Sequence, residues 1–557
     1  MLKKDSLIKG TLILAAAALV ARFLGLFQRI PLDYMLGPEG NVAFSAANQV
    51  YLIVLMIATA GFPSAISKMV SERYALGRPE EAKRVYQASL VFGAVAGLVL
   101  AIAMFTLAPV YAQIAKEPGS DLALRAIAPA LLVFPIIAMM RGYFQGRQMM
   151  AAGGSSQIVE QFVRVILGLL LGWLVLELGW GDLWAAAAIT LGSVFGGIAA
   201  LIVMLRFARR LKRQDATTQR TFNGEASAAL MVPGRRSARA GASKKDLRFR
   251  DIYKEIFKMS LPAVVTSMAI NVIYFFDVTF FKRLTVPFYT YAEATSAAAD
   301  YGIKAISLAG IPPILAIALG SSIVPIISSA YSLKKMNEVQ KQASMVMRIV
   351  CFTGVPFALL LSVAAYSITG LIFKGPSGSG AVAALSAGTI LQITMMTSNS
   401  ILYGMGMQKK SMMHTIIGLI LKIAVSVILA PMLGVYGLII GSTVCFLTVT
   451  LLNLRSIKGV VKLKVLGKRW VPYLVAVAVA ALAGWGAEYG LLALTEGWID
   501  KLSFLVAAAA AAIVVGGFYV LLLIMLRVVT PEDVNSFPGP LRKLFNKLLR
   551  VLNRQTA

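Results

Sequence analysis

The chain alternates between long apolar stretches and short polar connections along nearly its whole length. An α-helix needs about 20 apolar residues to cross the hydrocarbon core of a bilayer. The pattern therefore predicts an all-α polytopic membrane protein with about 14 transmembrane helices. The predicted spans lie at 8–35, 43–70, 86–113, 123–145, 154–177, 183–206, 257–281, 299–330, 344–373, 381–406, 411–431, 434–455, 470–493 and 502–527.

The composition agrees with a membrane protein and argues against metal chemistry. Apolar residues make up 58% of the chain, whereas soluble domains are about 45–50% apolar. The two cysteines, Cys351 and Cys445, both lie in apolar stretches, and the single histidine is His414. No spacing typical of zinc ligands or of a disulfide framework is present. We therefore expect no metal and no other cofactor.

The formal net charge of +29 is concentrated in alternate connections, such as 68–84, 206–258 and 455–469. The connections at 177–182 and 488–500 on the opposite side contain no Lys or Arg. The positive-inside rule assigns the basic connections to the cytoplasm, and an even number of spans then places both termini there. The basic segments lack interleaved aromatic residues, so nucleic acid is not an expected partner.

The two halves of the chain carry a similar pattern of residues. Residues 74–84 after the second span and 331–341 after the eighth share the order Tyr, Leu, basic, Glu, basic at equal spacings. This indicates two lobes related by a parallel pseudo-two-fold repeat about the membrane normal. The predicted segments are a six-helix lobe at 1–210, a flexible basic cytoplasmic linker at 211–250, a six-helix lobe at 251–460, spans 13 and 14 at 461–530, and a cytoplasmic amphipathic tail at 531–557.

Two arginines interrupt the first apolar span. A charge near the bilayer centre costs about 2.5–3.5 kcal/mol on insertion scales, so such residues usually face a protein interior or a watery cavity. Arg22 and Arg29 are seven residues apart and share one helical face. They could bind a phosphate bidentately, or each could bond a carbonyl or extend to the membrane surface.

Later spans contain acidic and basic residues together. Glu160 and Arg164 are spaced i,i+4, which suits either a structural salt bridge or a pair facing a cavity. Lys422 occupies the position that matches Arg164 in the second half, and both lie near the membrane midplane. Lys422 has no acidic residue within one turn, so Glu160 is a candidate partner.

Asp277 and Lys304 lie near the end of their spans that is predicted to face outwards. Asp277 is close in sequence to Lys282, and the alternatives are an interfacial ion pair or a gating residue. Lys304 follows Asp300 by four residues, and that pair either marks an outer gate or caps a helix. No complete nucleotide-binding motif exists, because the glycine-rich residues 375–380 lack the Gly-Lys-Ser/Thr ending. Transport would therefore use a coupling cation (Na+ or H+), the membrane potential or the gradient of the cargo.

Several stretches resemble the polysaccharide-export and lipid II flippase branch of the MOP (multidrug/oligosaccharidyl-lipid/polysaccharide) superfamily. They are 156–164 (Ser-Gln-Ile-Val-Glu-Gln-Phe-Val-Arg), 141–146 (Arg-Gly-Tyr-Phe-Gln-Gly), 22–25 (Arg-Phe-Leu-Gly) and 318–320 (Ala-Leu-Gly) followed by Pro325. The Gram-positive lipid II flippases and their sporulation relatives are most similar. The chain departs from Gram-negative flippases, which have Arg-Asp where Gln28 and Arg29 stand.

The resemblance implies a transporter of the bacterial plasma membrane and no enzyme. It implies that an undecaprenyl-pyrophosphate-linked precursor, lipid II, moves from the inner to the outer leaflet by alternating access. Membrane lipids and the cell-wall synthesis machinery are the other implied partners. The candidate gating residues are Glu160 and Asp277, and the candidate substrate-binding residues are Arg22, Arg29, Arg164, Lys422 and Lys304.

Alternative functions remain open at this point. The cargo could be another lipid-linked polysaccharide precursor, or the chain could be a multidrug/cation antiporter, although an antiporter for cationic drugs needs acidic cavity residues. A membrane glycosyltransferase needs acidic clusters in its loops, whereas the outer loops here are short. A scaffold for wall synthesis is the remaining alternative.

Overall fold

A computed structural model describes the backbone of residues 7–59, 61–230, 248–530 and 534. Side chains are described for the same residues except 7–15, 18, 22, 217–230, 258–259, 261–263, 315, 318–319 and 321–322. The predicted tail at 531–557 and the Arg22 side chain therefore lie outside the described part, apart from Val534.

Nineteen α-helices and no β-strand form the described part of the chain, which confirms the all-α fold class. One π-helical turn, Tyr301–Ala305, and one 3-10 turn, Gly467–Arg469, accompany them. The helices are α1 Leu7–Met35, α2 Pro38–Thr59, α3 Phe62–Ala75, α4 Pro79–Ala115, α5 Ser120–Ile127, α6 Ala130–Gly146, α7 Met150–Glu177, α8 Asp182–Leu230, α9 Phe249–Thr285, α10 Tyr291–Asp300, α11 Ile306–Ala309, α12 Pro313–Ser332, α13 Met336–Val363, α14 Ala365–Ile372, α15 Ser379–Gly404, α16 Gln408–Leu433, α17 Val435–Lys458, α18 Trp470–Leu494 and α19 Asp500–Met525.

Within the described residues, eleven helices are long and apolar enough to cross a membrane. The number is twelve if α5 and α6, which are bent by 42° at their junction, form one broken span. The chain is thus a multi-pass membrane protein, while the count of fourteen stays a prediction. The predicted span 299–330 is interrupted by the π-turn and again at Gly310–Pro313, where proline removes a helical N–H donor.

The basic segment after the sixth span starts as a helix, because α8 continues to Leu230. The predicted flexible linker was placed from residue 211, so α8 makes its first twenty residues helical, and residues 231–247 of that segment lie outside the described part. Arg147 holds the extension by two hydrogen bonds of 2.8 Å to the carboxylate of Asp215. A bidentate arginine–carboxylate pair is among the stronger polar contacts available at a protein surface.

The chain divides into two compact units. The first contains α1 up to Gln28, together with Val50–Val110 and Gly119–Met268. In this unit α7 and α8 pack at glycines, since a Cβ atom on Gly192 would lie 2.4 Å from the Arg164 carbonyl oxygen and 2.7 Å from Gly168 Cα. The absence of side chains at both positions lets the two backbones approach closely.

The second unit contains Arg29–Gln49, Tyr111–Pro118 and the chain from Ala269 onwards. Within it the last two apolar helices, α18 and α19, pack against α13. The hydroxyls of Tyr473 and Tyr519 both donate to the carbonyl oxygen of Cys351, at 2.9 and 3.2 Å. The Glu488 carboxylate of α18 accepts the backbone N–H of Ser367 at 2.8 Å. These hydrogen bonds satisfy polar groups of α18 and α19 inside the unit rather than in lipid.

The glycine contact between α7 and α8 gives a stability prediction. Gly192→Ala should destabilise the protein by about 1–3 kcal/mol, because the added methyl group overpacks a backbone contact. Gly516→Ala is the matched control, since a Cβ atom there meets nothing within 4 Å. Thermal unfolding of both variants in detergent measures the difference. Equal unfolding temperatures for the two variants would show that the close contact is absent.

Candidate functional site

Among the described residues of the second unit, the most deeply buried charges are Asp277 on α9 and Lys422 on α16, which form an ion pair. Asp277 also accepts hydrogen bonds from the hydroxyls of Tyr301 at 2.8 Å and Ser442 at 3.1 Å. The Lys422 ammonium lies 4.2 Å from the centre of the Phe276 ring. Because an ion pair loses its hydration on burial, these additional donors and the ring face are what make the buried pair tolerable.

This geometry changes two predictions made from the sequence. Lys422 was expected to bind cargo or to pair with Glu160, yet its partner is Asp277 and its side chain is sealed from solvent. Of the two alternatives for Asp277, the interfacial pair with Lys282 is wrong. Lys282 instead contacts Glu117 at 2.7 Å, because it lies on a different part of the α9 surface from Asp277.

Two ion pairs lie where the helices are predicted to reach the outer surface, and we call Glu117–Lys282 and Asp33–Lys304 the outer pairs. Glu117 follows the end of α4, and the Lys282 ammonium also lies 4.3 Å from the centre of the Tyr291 ring. The pair thus fastens residues 111–118 to α9 within the second unit. Sequence reasoning missed Glu117, whose only signal was its position beside the end of an apolar span.

The other outer pair belongs to a larger cluster around the π-turn. Lys304 lies 2.9 Å from Asp300, which confirms the predicted i,i+4 pair, and 3.6 Å from Asp33 of α1. Lys304 also donates to the hydroxyl of Ser377 at 2.7 Å. Three residues, Asp33, Asp300 and Ser377, therefore share one buried ammonium group.

Arg29 joins α1 to the same turn. Its Nη1 donates to the Gly302 carbonyl at 2.8 Å and to the Ser307 hydroxyl at 2.9 Å. A π-turn displaces the regular i→i−4 hydrogen bonds and leaves backbone carbonyls for other donors. The structure thus places the predicted site residues Arg29 and Lys304 beside one turn.

Glu160 of the first unit is held by Arg141 of α6 at 2.7 Å, and Arg141 Nε donates to Ser156 at 2.8 Å. The sequence suggested Arg164 as the partner of Glu160, because the two are one helical turn apart. Arg141 was missed as a partner because it lies on another helix, although it begins one of the motifs that carry the family resemblance. Arg164 sits at the close contact of α7 with α8, where a Cβ atom on Gly196 would lie 3.0 Å from its own Cβ.

No group of three or more His, Cys, Asp or Glu side chains in the described part is placed to hold a metal ion. The single histidine, His414, is hydrogen-bonded through Nδ1 to Asn453 at 2.8 Å. The polar clusters described here consist of ion pairs and hydrogen bonds between helices. Their chemistry is suited to holding and releasing helices and to binding polar ligands.

The ion pair of Asp277 and Lys422 gives a double-mutant prediction. Asp277→Leu alone should destabilise the protein by about 3–5 kcal/mol, because it leaves a buried ammonium group unpaired. Adding Lys422→Met should recover most of that loss, since both charges are then gone. The readout is thermal unfolding in detergent. If the double variant is as unstable as Asp277→Leu alone, the destabilisation does not come from the unpaired Lys422 ammonium.

The exposed pair of Glu80 and Lys83, 3.9 Å apart, is the control for that cycle. Glu80→Leu, Lys83→Met and the double change should each alter the free energy of unfolding by less than about 1 kcal/mol, because solvent screens exposed ion pairs.

The pKa of Glu117 gives a pH prediction. Burial raises the pKa of this carboxyl from 4.5 to about 7, although the Lys282 ammonium opposes the shift. The folded chain therefore binds a proton that the unfolded chain releases, so the stabilisation is complete below pH 4.5 and is lost as pH rises through about 7. As pH rises from 4.5 to about 7, the unfolding temperature of the wild type should fall relative to that of Glu117→Gln. If the unfolding temperature of the wild type rises relative to that of Glu117→Gln, the Lys282 ammonium has a larger effect on the pKa of Glu117 than burial has.

A family model described as polysaccharide biosynthesis protein matches residues 7–331, more than half of the chain. Two similar relatives come from Bacillus subtilis (strain 168). The lipid II flippase MurJ is 26% identical, covering 86% of this chain and 88% of the relative. The stage V sporulation protein B is 25% identical over the same shares of both chains.

Solved structures with a similar fold include the lipid II flippase MurJ in an inward closed conformation. It has a TM-score of 0.62 and 13% identity, and the match covers 93% of this chain and all of that one. An inward-facing MATE family multidrug transporter has a TM-score of 0.61 and 16% identity, with 79% of this chain and 95% of that one covered. At these identities the likeness supports the fold. The family match, which covers more than half of the chain, shows that this multi-pass membrane protein belongs to the polysaccharide biosynthesis protein family.

Proposed function

We propose that this protein flips lipid II, an undecaprenyl-pyrophosphate-linked cell-wall precursor, from the inner to the outer leaflet by alternating access. The observation that carries the proposal is the polar character of the outer pairs. Glu117–Lys282 and Asp33–Lys304 join separate segments through charges. Water can replace such partners when the segments separate, so the net cost of opening each charged hydrogen bond is about 1.5–3 kcal/mol. The outer pairs are therefore suited to repeated opening and closing.

The cargo carries a pyrophosphate, and the proposed contacts are basic. Arg29 and Lys304 lie beside the π-turn, and Arg22 and Arg164 are the further basic residues that we assign to cargo binding. A guanidinium group recognises phosphate oxygens bidentately, which favours arginine for this role. Lys422 is reassigned, because its ammonium pairs with Asp277 away from the outer pairs. Lys304 is paired too, with Asp300 and Asp33, and we propose that it becomes available to the cargo when the Asp33–Lys304 pair opens.

We assign gating roles to the two carboxylates that hold basic residues of other helices. Asp277 joins α9 to α16 through Lys422, and Glu160 joins α7 to α6 through Arg141. Breaking either pair inside the membrane leaves a charge without compensation. A coupling cation, Na+ or H+, that neutralises the carboxylate would lower that cost. The wall-synthesis machinery is a proposed partner, and both termini are proposed to lie in the cytoplasm.

A second candidate cargo is another lipid-linked polysaccharide precursor. The stage V sporulation protein B is nearly as similar to this chain as the lipid II flippase is, at 25% against 26% identity. The mechanism would be unchanged, since the pyrophosphate is common to such precursors.

Transport of labelled lipid II by the purified protein in proteoliposomes tests the proposal. Arg29→Ala and Arg22→Ala should each slow translocation at least about tenfold, the loss expected when one charged hydrogen bond to phosphate is removed. Arg209→Ala, which alters an exposed arginine on α8, is the control and should behave as wild type.

Translocation rates are compared only between variants whose abundance in the membrane equals that of the wild type. Full translocation by both Arg29→Ala and Arg22→Ala would refute the cargo contacts. A wild-type protein that moves another lipid-linked sugar but not lipid II would establish the second candidate instead.

A further inference from the structure

The first unit contains a cavity of about 260 Å³ bounded by α6 and the start of α7. Four of its lining side chains are polar, namely Thr59, Arg141, Gln145 and Gln157, and the Thr59 hydroxyl already donates to the Leu55 carbonyl. Met149 and Met150 supply part of an apolar wall. The function proposed above uses one lining residue, Arg141, as the partner of Glu160 and assigns no role to the cavity itself.

The polar groups on the cavity wall have unused hydrogen-bonding capacity. Arg141 donates from Nε to the Ser156 hydroxyl and from Nη2 to the Glu160 carboxylate. Its Nη1, together with the side-chain amides of Gln145 and Gln157, has no hydrogen-bond partner among the described residues. Half-buried donors and acceptors that lack protein partners bind water or a ligand instead.

The charge balance of the wall selects the kind of ligand. Glu160 lies 2.7 Å from Arg141, so the cavity presents a compensated charge rather than a free cation. An anion gains little from such a pair, and an apolar molecule would leave two amides desolvated and unpaired. A carboxamide both donates and accepts, which matches a ligand whose groups also do both.

The size of the cavity suits a ligand of one ring. A volume of 260 Å³ corresponds to about nine water molecules at about 30 Å³ each. It falls below the range of about 300–1,000 Å³ that is typical of pockets for drug-sized molecules. The geometry points to a subsite for a single sugar residue, with hydroxyl or acetamido groups on Arg141, Gln145 and Gln157 and the C–H face of the ring against the methionines. This inference rests on the proposed function, because the sugar would belong to the lipid-linked cargo.

Thiol protection tests the subsite in the full-length protein. Ala138 also lines the cavity, and both native cysteines are buried. Ala138→Cys therefore introduces a thiol whose modification by a maleimide reports access to the cavity. N-acetylglucosamine should slow the modification, whereas the acyclic polyol mannitol and inorganic pyrophosphate should not.

The added double change Gln145→Leu, Gln157→Leu should weaken protection by the sugar about tenfold, as expected for the loss of two hydrogen bonds. Gln87→Leu, at an exposed position of α4, is the matched control and should leave protection unchanged. Protection that survives the double change, sugar protection no greater than that of mannitol, or equal protection by pyrophosphate would each overturn the inference.

Lipid II translocation in the same preparations separates the two proposals. Sugar protection without translocation of lipid II retains the subsite and refutes the proposed cargo. Translocation without sugar protection retains the proposed function and refutes the subsite.

Discussion

A hydrocarbon environment offers no water to a buried charge, so each ionised side chain inside the bundle needs a partner from the protein. The partners in this chain come mainly from other helices. Lys422 of α16 meets Asp277 of α9, and Arg141 of α6 meets Glu160 of α7. Forming a buried ion pair adds little net stability, whereas removing one partner is strongly destabilising. These contacts therefore determine which helices pack together more than they stabilise the fold.

Close backbone contacts set the distances over which such pairs can form. Gly192 and Gly168 bring α7 against α8, and a Cβ atom on Gly437 would lie 2.4 Å from the backbone of α16. Polar side chains then meet at fixed depths inside each unit. Substitution of these glycines would therefore affect ion pairs that they do not touch.

The fold class could be predicted because apolar length is a local property of the sequence. The break near Gly310–Pro313 also had a local signal in its glycine and prolines, although the π-turn before it had none. The pairing of charges could not be predicted, since it depends on which helices are neighbours. Asp277 and Lys282 are close in sequence, yet their partners are Lys422 and Glu117. The helical extension to Leu230 was missed because a basic, weakly apolar composition was taken for a linker.

The sealed pair of Asp277 and Lys422 has an electrical consequence. A unit charge that crosses the whole membrane field gains about 2.3 kcal/mol per 100 mV. A lysine and an aspartate that move together carry no net charge, and the same holds for Arg141 with Glu160. While these pairs stay intact, voltage exerts almost no net force on the paired side chains. The membrane potential acts instead on charges that lie outside these pairs.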